Sequence, residues 1–394
     1  MARVALVGSL DTKGVEYAFL RDRLRGHGVD VLVVDTGVRE PAFAPDVRVA
    51  DEAGVEWGDR GAAMEALGSG AAAVLSRLYE EGRVQGVLAL GGSGGTSVAT
   101  TAMRALPVGV PKLMVSTMAS GDTRPYVGAV DVTMMYSVVD IAGINPISER
   151  ILANAAAAIA AMAQVELPEP YGAKPLIGAT MFGVTTPCVT AARERLEELG
   201  YEVLVFHATG TGGQSMETLA RGGFLVGILD ITTTELADDL VGGVLSAGPN
   251  RLEAAGELGL PQVVSLGALD MVNFGPRDTV PPQFEGRNLY VHNPTVTLMR
   301  TTPHECGELG RRIGRKLSSA TGPTALYVPL RGVSMIAVEG QPFHDAEADA
   351  ALREGLHETL APSVELHEVD ADVNDPELAV AMADRLHDMI QEGR

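Results

Sequence analysis

"ALGGSGGTSVATT", Ala89–Thr101, sets four glycines among five residues directly after the apolar run Val87–Leu90, then turns into a sequence that can be helical. A strand that ends in bare backbone and re-enters a helix is a βα junction, where successive N–H groups and the helix dipole can surround an anionic oxygen. Gly91, Gly92, Ser93, Gly94, Gly95 and Thr96 are therefore read as an anion-holding turn, with Thr96 and Ser97 either contributing hydroxyls or capping the helix. A side chain at Gly94 is expected to obstruct the anion.

Working outward, Val4–Val7, Val31–Val34 and Leu113–Val115 are further short apolar runs, each followed at once by Gly, Asp or Ser. Helical patterns separate them at Val15–Arg25, Gly61–Leu67, Ala71–Tyr79 and Ser97–Leu106. Such alternation predicts βαβ units with strands buried on both faces. After the helix predicted over Ile147–Gln164, "PEPYG" (Pro168–Gly172) marks a domain boundary, giving domains 1–172 and 173–394. The second half repeats the logic, with strands near Pro175–Thr180, Val203–Phe206, Leu225–Leu229, Gln262–Ser265, Leu289–Val291, Ala325–Val328 and Val364–Leu366, and a closing helix at Pro376–Glu392. "RDRLRGHGVDVLVVDTG" from Arg21 and "RERLEELGYEVLVFHATG" from Arg193 share a helix, a glycine stop at Gly28 or Gly200, and a following strand. The fold expected is α/β: two Rossmann-like domains with mainly parallel sheets, helices on both faces and a ligand cleft between them.

Ligands of open α/β sheets bind beyond the carboxyl ends of the strands, so neighbouring loops should meet the glycine turn there. "GSLDTKG" (Gly8–Gly14) offers Asp11, Thr12 and Lys13: Asp11 to hold a metal or cap a helix, Lys13 to neutralise a phosphate. "STMASGDTRPYVG" (Ser116–Gly128) offers Ser120, Gly121, Asp122 and Thr123. Asp35 would accept from a ribose hydroxyl or begin the "DTG" turn. Neither the P-loop pattern nor a full dinucleotide fingerprint is present.

In the second half, His207, Thr209, Gly210, Gly212 and Gly213 form another glycine-rich βα turn, while Asp230, Thr232, Thr233, Asp270, Asn273 and His292 are expected at strand ends. They are candidates for a second, small-molecule ligand. Thr234 reads as a helix cap, and Thr302, Pro303 and Glu305 as a capping box, which leaves Glu305 without a chemical role.

A net charge of -21 and the lack of a basic patch exclude nucleic acid as a partner. No run reaches about 18 apolar residues, and "MARVALVGSLDTKG" has no apolar secretory core, so a soluble cytoplasmic protein without a membrane partner is expected. Two cysteines, Cys188 and Cys306, suit a reducing compartment and are read as buried apolar residues. The eight histidines show no zinc-ligand spacing.

"GSLDTKG", "LGGSGGTS", "PKLMVSTMASGDT", "SVVDIAGIN", "FGVTTP", "FHATGTGG", "LDITTTE", "GALDMVNFG" and "HNPTVTLMRTT" together resemble the Tm-one-like ATP-binding family, over essentially the whole chain. That resemblance implies two α/β domains, ATP as cofactor and a homo-oligomer; it implies no established reaction. ATP phosphates would then lie on Gly91–Thr96, with magnesium held by phosphate oxygens and by Asp11 or Asp122. Two functions follow: an ATP-dependent enzyme passing a phosphoryl or adenylyl group to a small acid or sugar-like acceptor, or a nucleotide-stabilised protein-binding module without turnover.

Overall fold

Apolar runs flanked by glycine do form doubly covered strands. The structure, a computed structural model, describes residues 1–53, 60–166 and 174–393. It divides into two compact units, Met1–Glu169 and Pro170–Arg394; the boundary expected at Pro168–Gly172 lies outside the described residues.

In the first unit the chain runs β1 (Arg3–Gly8), α1 (Leu10–Gly26), β2 (Asp30–Asp35), β3 (Val47–Arg48), α2 (Val49–Ala53), α3 (Arg60–Glu80), β4 (Gly86–Gly91), α4 (Ser93–Arg104), β5 (Lys112–Ser116), α5 (Arg124–Val127), β6 (Thr133–Tyr136) and α6 (Pro146–Met162). All strand pairs are parallel, in the order β3-β2-β1-β4-β5-β6. The chain leaves β1 toward β2 on one side and resumes at β4 on the other, so β1 and β4 flank a topological switch point. One apolar cluster joins the sheet to α3 and α4 through Leu75, Val98 and Met103, and another joins it to α1 and α6 through Tyr17, Leu20 and Ile159, so helices cover both faces.

In the second unit β7 (Leu176–Met181), α7 (Thr186–Glu198), β8 (Glu202–His207), α8 (Thr211–Arg221), β9 (Leu225–Thr232), α9 (Glu235–Val241), α10 (Ala254–Leu258) and β10 (Gln262–Gly267) come first. β11 (Met271–Phe274), β12 (Leu289–Asn293), β13 (Val296–Arg300), α11 (Pro303–Ser318), β14 (Thr324–Pro329), α12 (Ala346–Thr359), β15 (Glu365–Val369) and α13 (Pro376–Glu392) follow. The parallel sheet reads β15-β14-β10-β9-β7-β8, with its switch between β7 and β9. The repeated helix–glycine–strand junction is real in both units, since Gly28 and Gly200 have φ of 77° and 95°.

Sequence patterning did not anticipate the second unit's three-stranded antiparallel sheet, β11-β13-β12. "TLMRTT" supplies most of β13, and Asn273 lies inside β11 rather than beyond a strand end. Apolar periodicity is masked here because buried Asn273, Thr297 and Arg300 alternate with the aliphatic residues.

Candidate functional site

At the first switch point, Tyr17 of α1 holds the strands apart. Register between β1 and β4 runs to Val7 opposite Ala89; beyond it the Tyr17 hydroxyl sits 2.6 Å from the Val7 carbonyl and 3.0 Å from that of Leu90, and accepts the Leu90 N–H. A Cβ at Gly8 would collide with that hydroxyl, so the glycine admits the wedge. Burial pushes the Tyr17 phenol well above its ordinary range and keeps it neutral. Sequence reading missed this residue.

The glycine turn opens directly above. α4 begins at Ser93, earlier than the pattern suggested, with Gly92 at its N-cap and no side chain capping it. Gly91 is required by packing: a Cβ there would lie 2.9 Å from the Gly95 Cα. At Gly92 a Cβ would lie 3.8 Å from Thr117 Oγ1, over the strand ends. At Gly94 it would meet the end of Met64, 3.2 Å away on α3, so a side chain at Gly94 points to α3 and not over the strand ends, where the sequence reading places it. Thr96 is fully buried and faces inward: its hydroxyl donates to the Gly92 carbonyl (2.8 Å) or shares a proton with Ser116 (2.6 Å), fixing the turn rather than meeting a ligand. Ser93 is exposed and Gly92, Gly94 and Gly95 are half-buried, and among the described residues the N–H groups of Ser93, Gly94 and Gly95 have no hydrogen-bond acceptor, as first-turn amides commonly do not.

The surrounding candidates are more occupied than the sequence implied. Asp11, Thr12 and Lys13 belong to the first turn of α1 rather than to a loop. Asp11 accepts the N–H groups of Val38 (3.2 Å) and Arg39 (3.1 Å) through one oxygen, while the other is buried without a partner. Asp35 is fully buried and accepts from Leu10 (2.9 Å) and Gly37 (2.7 Å) backbone amides, so it ties α1 to the turn after β2 and does not face a ribose. Lys13 breaks helical geometry (φ −126°, ψ 22°) and donates to the Ile141 carbonyl. Asp122 pairs with Arg124 at 2.8 Å, which lowers its carboxyl to about 2. Ser120 and Gly121 are exposed and Thr123 half-buried in that loop. Asp122 is thus engaged by a cation and one oxygen of Asp11 by amides; among the described residues no group of three or more His, Cys, Asp or Glu could hold a metal by itself.

The second unit's glycine turn is arranged differently. Glu235, at the start of α9 and fully buried, accepts the N–H groups of Gly210 (2.6 Å) and Gly213 (3.1 Å) through one oxygen. Its other oxygen accepts from Arg251 Nε at 2.6 Å. Arg251, 2% exposed, also pairs with Asp230 (Nη2 to Oδ1, 2.7 Å) and lies 3.6 Å from Glu217. Three carboxylates thus surround one guanidinium, raising its affinity for the proton despite burial, and burial raises the Glu217 carboxyl. A Cβ at Gly213 would run into Glu235 and Arg251, and one at Gly212 into the His207 carbonyl.

Most of the other candidates of this unit also have partners within it. Asp230 accepts the Thr180 hydroxyl (2.7 Å), the Thr232 hydroxyl pairs with Thr185 (2.7 Å), and that of Thr233 donates to the Ser265 carbonyl (3.2 Å). Thr209 bonds the His207 carbonyl (3.3 Å); His207 itself is exposed with its ring edge against Phe182, and His292 is exposed on edge strand β12. Asn273 donates to Asp238 (2.7 Å), whose carboxyl burial raises to about 7. Asp270 accepts the Ser334 hydroxyl (2.8 Å), leaves its other oxygen buried without a partner, and is raised to about 6 by burial. Thr234 stands at an N-cap but donates to the Met271 carbonyl (3.3 Å), whereas Thr302 and Glu305 do form the expected capping box, Glu305 also pairing with Arg287. Arg251, Glu217 and Glu235 were not anticipated as a group: they lie 16 to 34 residues apart and share no local spacing.

Comparison with known proteins places this architecture. Family models described as the Uncharacterised protein family (UPF0261) N-terminal and C-terminal domains match residues 2–168 and 174–390. The chain belongs to the UPF0261 family. A UPF0261 protein of Clostridium tetani is 54% identical, covering 99% of each chain. The ToMV resistance protein Tm-1(GCR237) of Solanum lycopersicum is 41% identical over 100% of this UPF0261 chain and 56% of its own length, in keeping with the resemblance noted above. Among solved structures, the UDP-N-acetylglucosamine 2-epimerase of Rickettsia bellii is similar at TM-score 0.23 and 11% identity, over 67% of this chain and 78% of that one. The UDP-GlcNAc 2-epimerase of Neisseria meningitidis gives TM-score 0.24 and 12% identity, over 91% and 100%. Likeness at those scores carries no argument about this chain. Among the described residues, no helix is long and apolar enough to cross a membrane.

Proposed function

We propose that the first unit binds a nucleotide by its phosphates, with ATP as the ligand, on the first turn of α4. One observation carries the reading: the two units contain the same strand–glycine turn–helix device, and in the second its amides already hold a carboxylate, that of Glu235. The corresponding turn in the first unit lies at the switch point, has no side-chain cap, and among the described residues receives no carboxylate of the protein. Its partner is therefore an anionic group from outside the chain. Magnesium arrives with the nucleotide and is held by phosphate oxygens, since Asp11 and Asp122 are otherwise engaged.

Transfer of a phosphoryl or adenylyl group to a small acid or sugar-like acceptor was one of two expected activities. Of the residues nominated for that acceptor, Asp230 is held by Thr180 and Arg251, Thr232 by Thr185, Thr233 by the Ser265 carbonyl, Asn273 by Asp238, Asp270 by Ser334, and the Gly210 and Gly213 amides by Glu235, while His207 and His292 are exposed. This favours the second activity, a nucleotide-stabilised module that recognises another protein, and it works only if the nucleotide binds two conformations unequally. The two buried cysteines support a cytoplasmic setting.

Calorimetric titration with ATP and ADP, with and without magnesium, tests the reading, followed by a search for ADP or AMP release across small acids and sugars. Saturable ATP binding that Gly92→Val weakens at least about tenfold is expected, about 1.4 kcal/mol. Release that depends on one acceptor would restore the transferase; an unchanged affinity in Gly92→Val would remove the turn from the site.

A further inference from the structure

The connection from β6 to α6, Ser137–Asn145, is held to α1 by two side chains. Lys13 donates to the Ile141 carbonyl, and Glu16, 3% exposed, accepts the Gly143 N–H at 2.6 Å. Between Val138 and Ala142 the remaining hydrogen bonds are local: Val139 N–H to the Ser137 carbonyl (2.7 Å), the Ser137 hydroxyl to the Val139 carbonyl (2.8 Å), and Ile141 N–H to Asp140 (2.8 Å). Among the described residues, Lys13 is thus the hydrogen-bonding tie from this arc to the rest of the unit. Val138 adds strain, being β-branched at φ 62°, a left-handed conformation that such side chains avoid, and it is 58% exposed.

We propose that Lys13 is a latch between this strap and the nucleotide site. It rests on the nucleotide reading and adds its regulation. Lys13 sits in the turn that follows β1, the neighbour of β4 across the switch point, and its ammonium is spent on a neutral carbonyl. A phosphate oxygen on the α4 turn is a stronger partner, because a charge-assisted hydrogen bond outcompetes one to a neutral acceptor. Once Lys13 turns to the phosphate, the arc 138–142 loses its tie and the strained Val138 can relax. Glu16 keeps Gly143 fixed, and the buried Ile141 side chain, 4% exposed, anchors the middle of the arc. The consequence is a loosened strap in the nucleotide-bound protein, which gives two states of one surface that a partner can tell apart.

Hydrogen exchange by mass spectrometry on the full chain, with and without saturating ATP and paired with calorimetry on the same samples, tests this. Exchange over 137–142 should rise several-fold with ATP while 91–97 becomes protected. Lys13→Met should show the raised strap exchange without nucleotide, should not respond to ATP, and should bind it at least tenfold more weakly; Lys13→Arg should retain the response in part. ATP that binds and protects 91–97 while leaving 137–142 unchanged overturns the latch and leaves the nucleotide site standing. A Lys13→Met strap that exchanges like the wild type without nucleotide overturns the latch by itself. Failure of ATP to bind the wild type removes the nucleotide reading instead.

Discussion

Two glycine-rich turns, Gly91–Thr96 and His207–Gly213, follow parallel strands and open helices, yet their glycines serve different ends. In the second unit Gly212 and Gly213 are glycine because atoms of the protein occupy the space a Cβ would need: the His207 carbonyl, Glu235 and Arg251. In the first, only Gly91 is needed for close packing; Gly94 borders a flexible methionine and Gly92 an open approach to Thr117. The lesson is that composition identifies the device and not its occupant. One turn is closed around an internal ion pair, and the other, among the described residues, has no side chain capping it.

The sharpest way to break that comparison is to remove the cation of the closed turn. Arg251→Met leaves Asp230, Glu235 and Glu217 buried together without their counter-charge, and a loss of about 3 to 5 kcal/mol is expected in denaturant unfolding of the second unit. A loss under about 1 kcal/mol would mean that the network does not hold the turn. Next comes a matched pair of glycine substitutions. Gly213→Ala forces a methyl against Glu235 and Arg251 and is expected to cost about 1 to 3 kcal/mol. Gly94→Ala meets only the Met64 methyl and lies in a helix, where alanine is favoured by up to about 1 kcal/mol, so its stability should be unchanged or higher. Equal losses at the two positions would erase the distinction drawn here.

A smaller effect separates the units by pH. Asp238, with its carboxyl raised to about 7 against an ordinary 3.8, retains its proton in the folded state after the unfolded chain has lost it. Stability contributed by this group therefore falls as pH rises from about 4 to about 7. Asp270 acts in the same direction, with its midpoint near pH 6, and its contribution is common to wild type and variant. Between pH 6 and 7, Asp238→Asn should accordingly remove about 1 kcal/mol of slope, read as the difference in melting temperature between variant and wild type at each pH. Parallel profiles for the two proteins would show that Asp238 does not titrate there.

The fold was largely legible because strands covered on both faces are continuous apolar runs: Val4–Val7, Val87–Leu90 and Gln262–Ser265 each fall inside an observed strand. The strands that escaped are those without such runs. β3 has two residues, β6 is a half-exposed edge strand, and β11 and β13 bury polar side chains. For the candidate site, the glycine turn and its position beyond β4 were readable from local spacing, whereas the fate of each acid was not. Asp35, Asp122 and Asp230 look alike in sequence, but one ties two backbone segments together, one pairs with its neighbour Arg124 on the surface, and one faces an arginine 21 residues away. Side-chain charge is local information, and its partner is set by the tertiary fold.

The central claim is tested most directly by a crystal structure of the protein grown with ATP and magnesium. The account predicts phosphate oxygens within hydrogen-bonding distance of the Ser93, Gly94 and Gly95 amides, with Glu235 still seated on Gly210 and Gly213. Nucleotide phosphates bound at another position, with those three amides facing solvent, would contradict it.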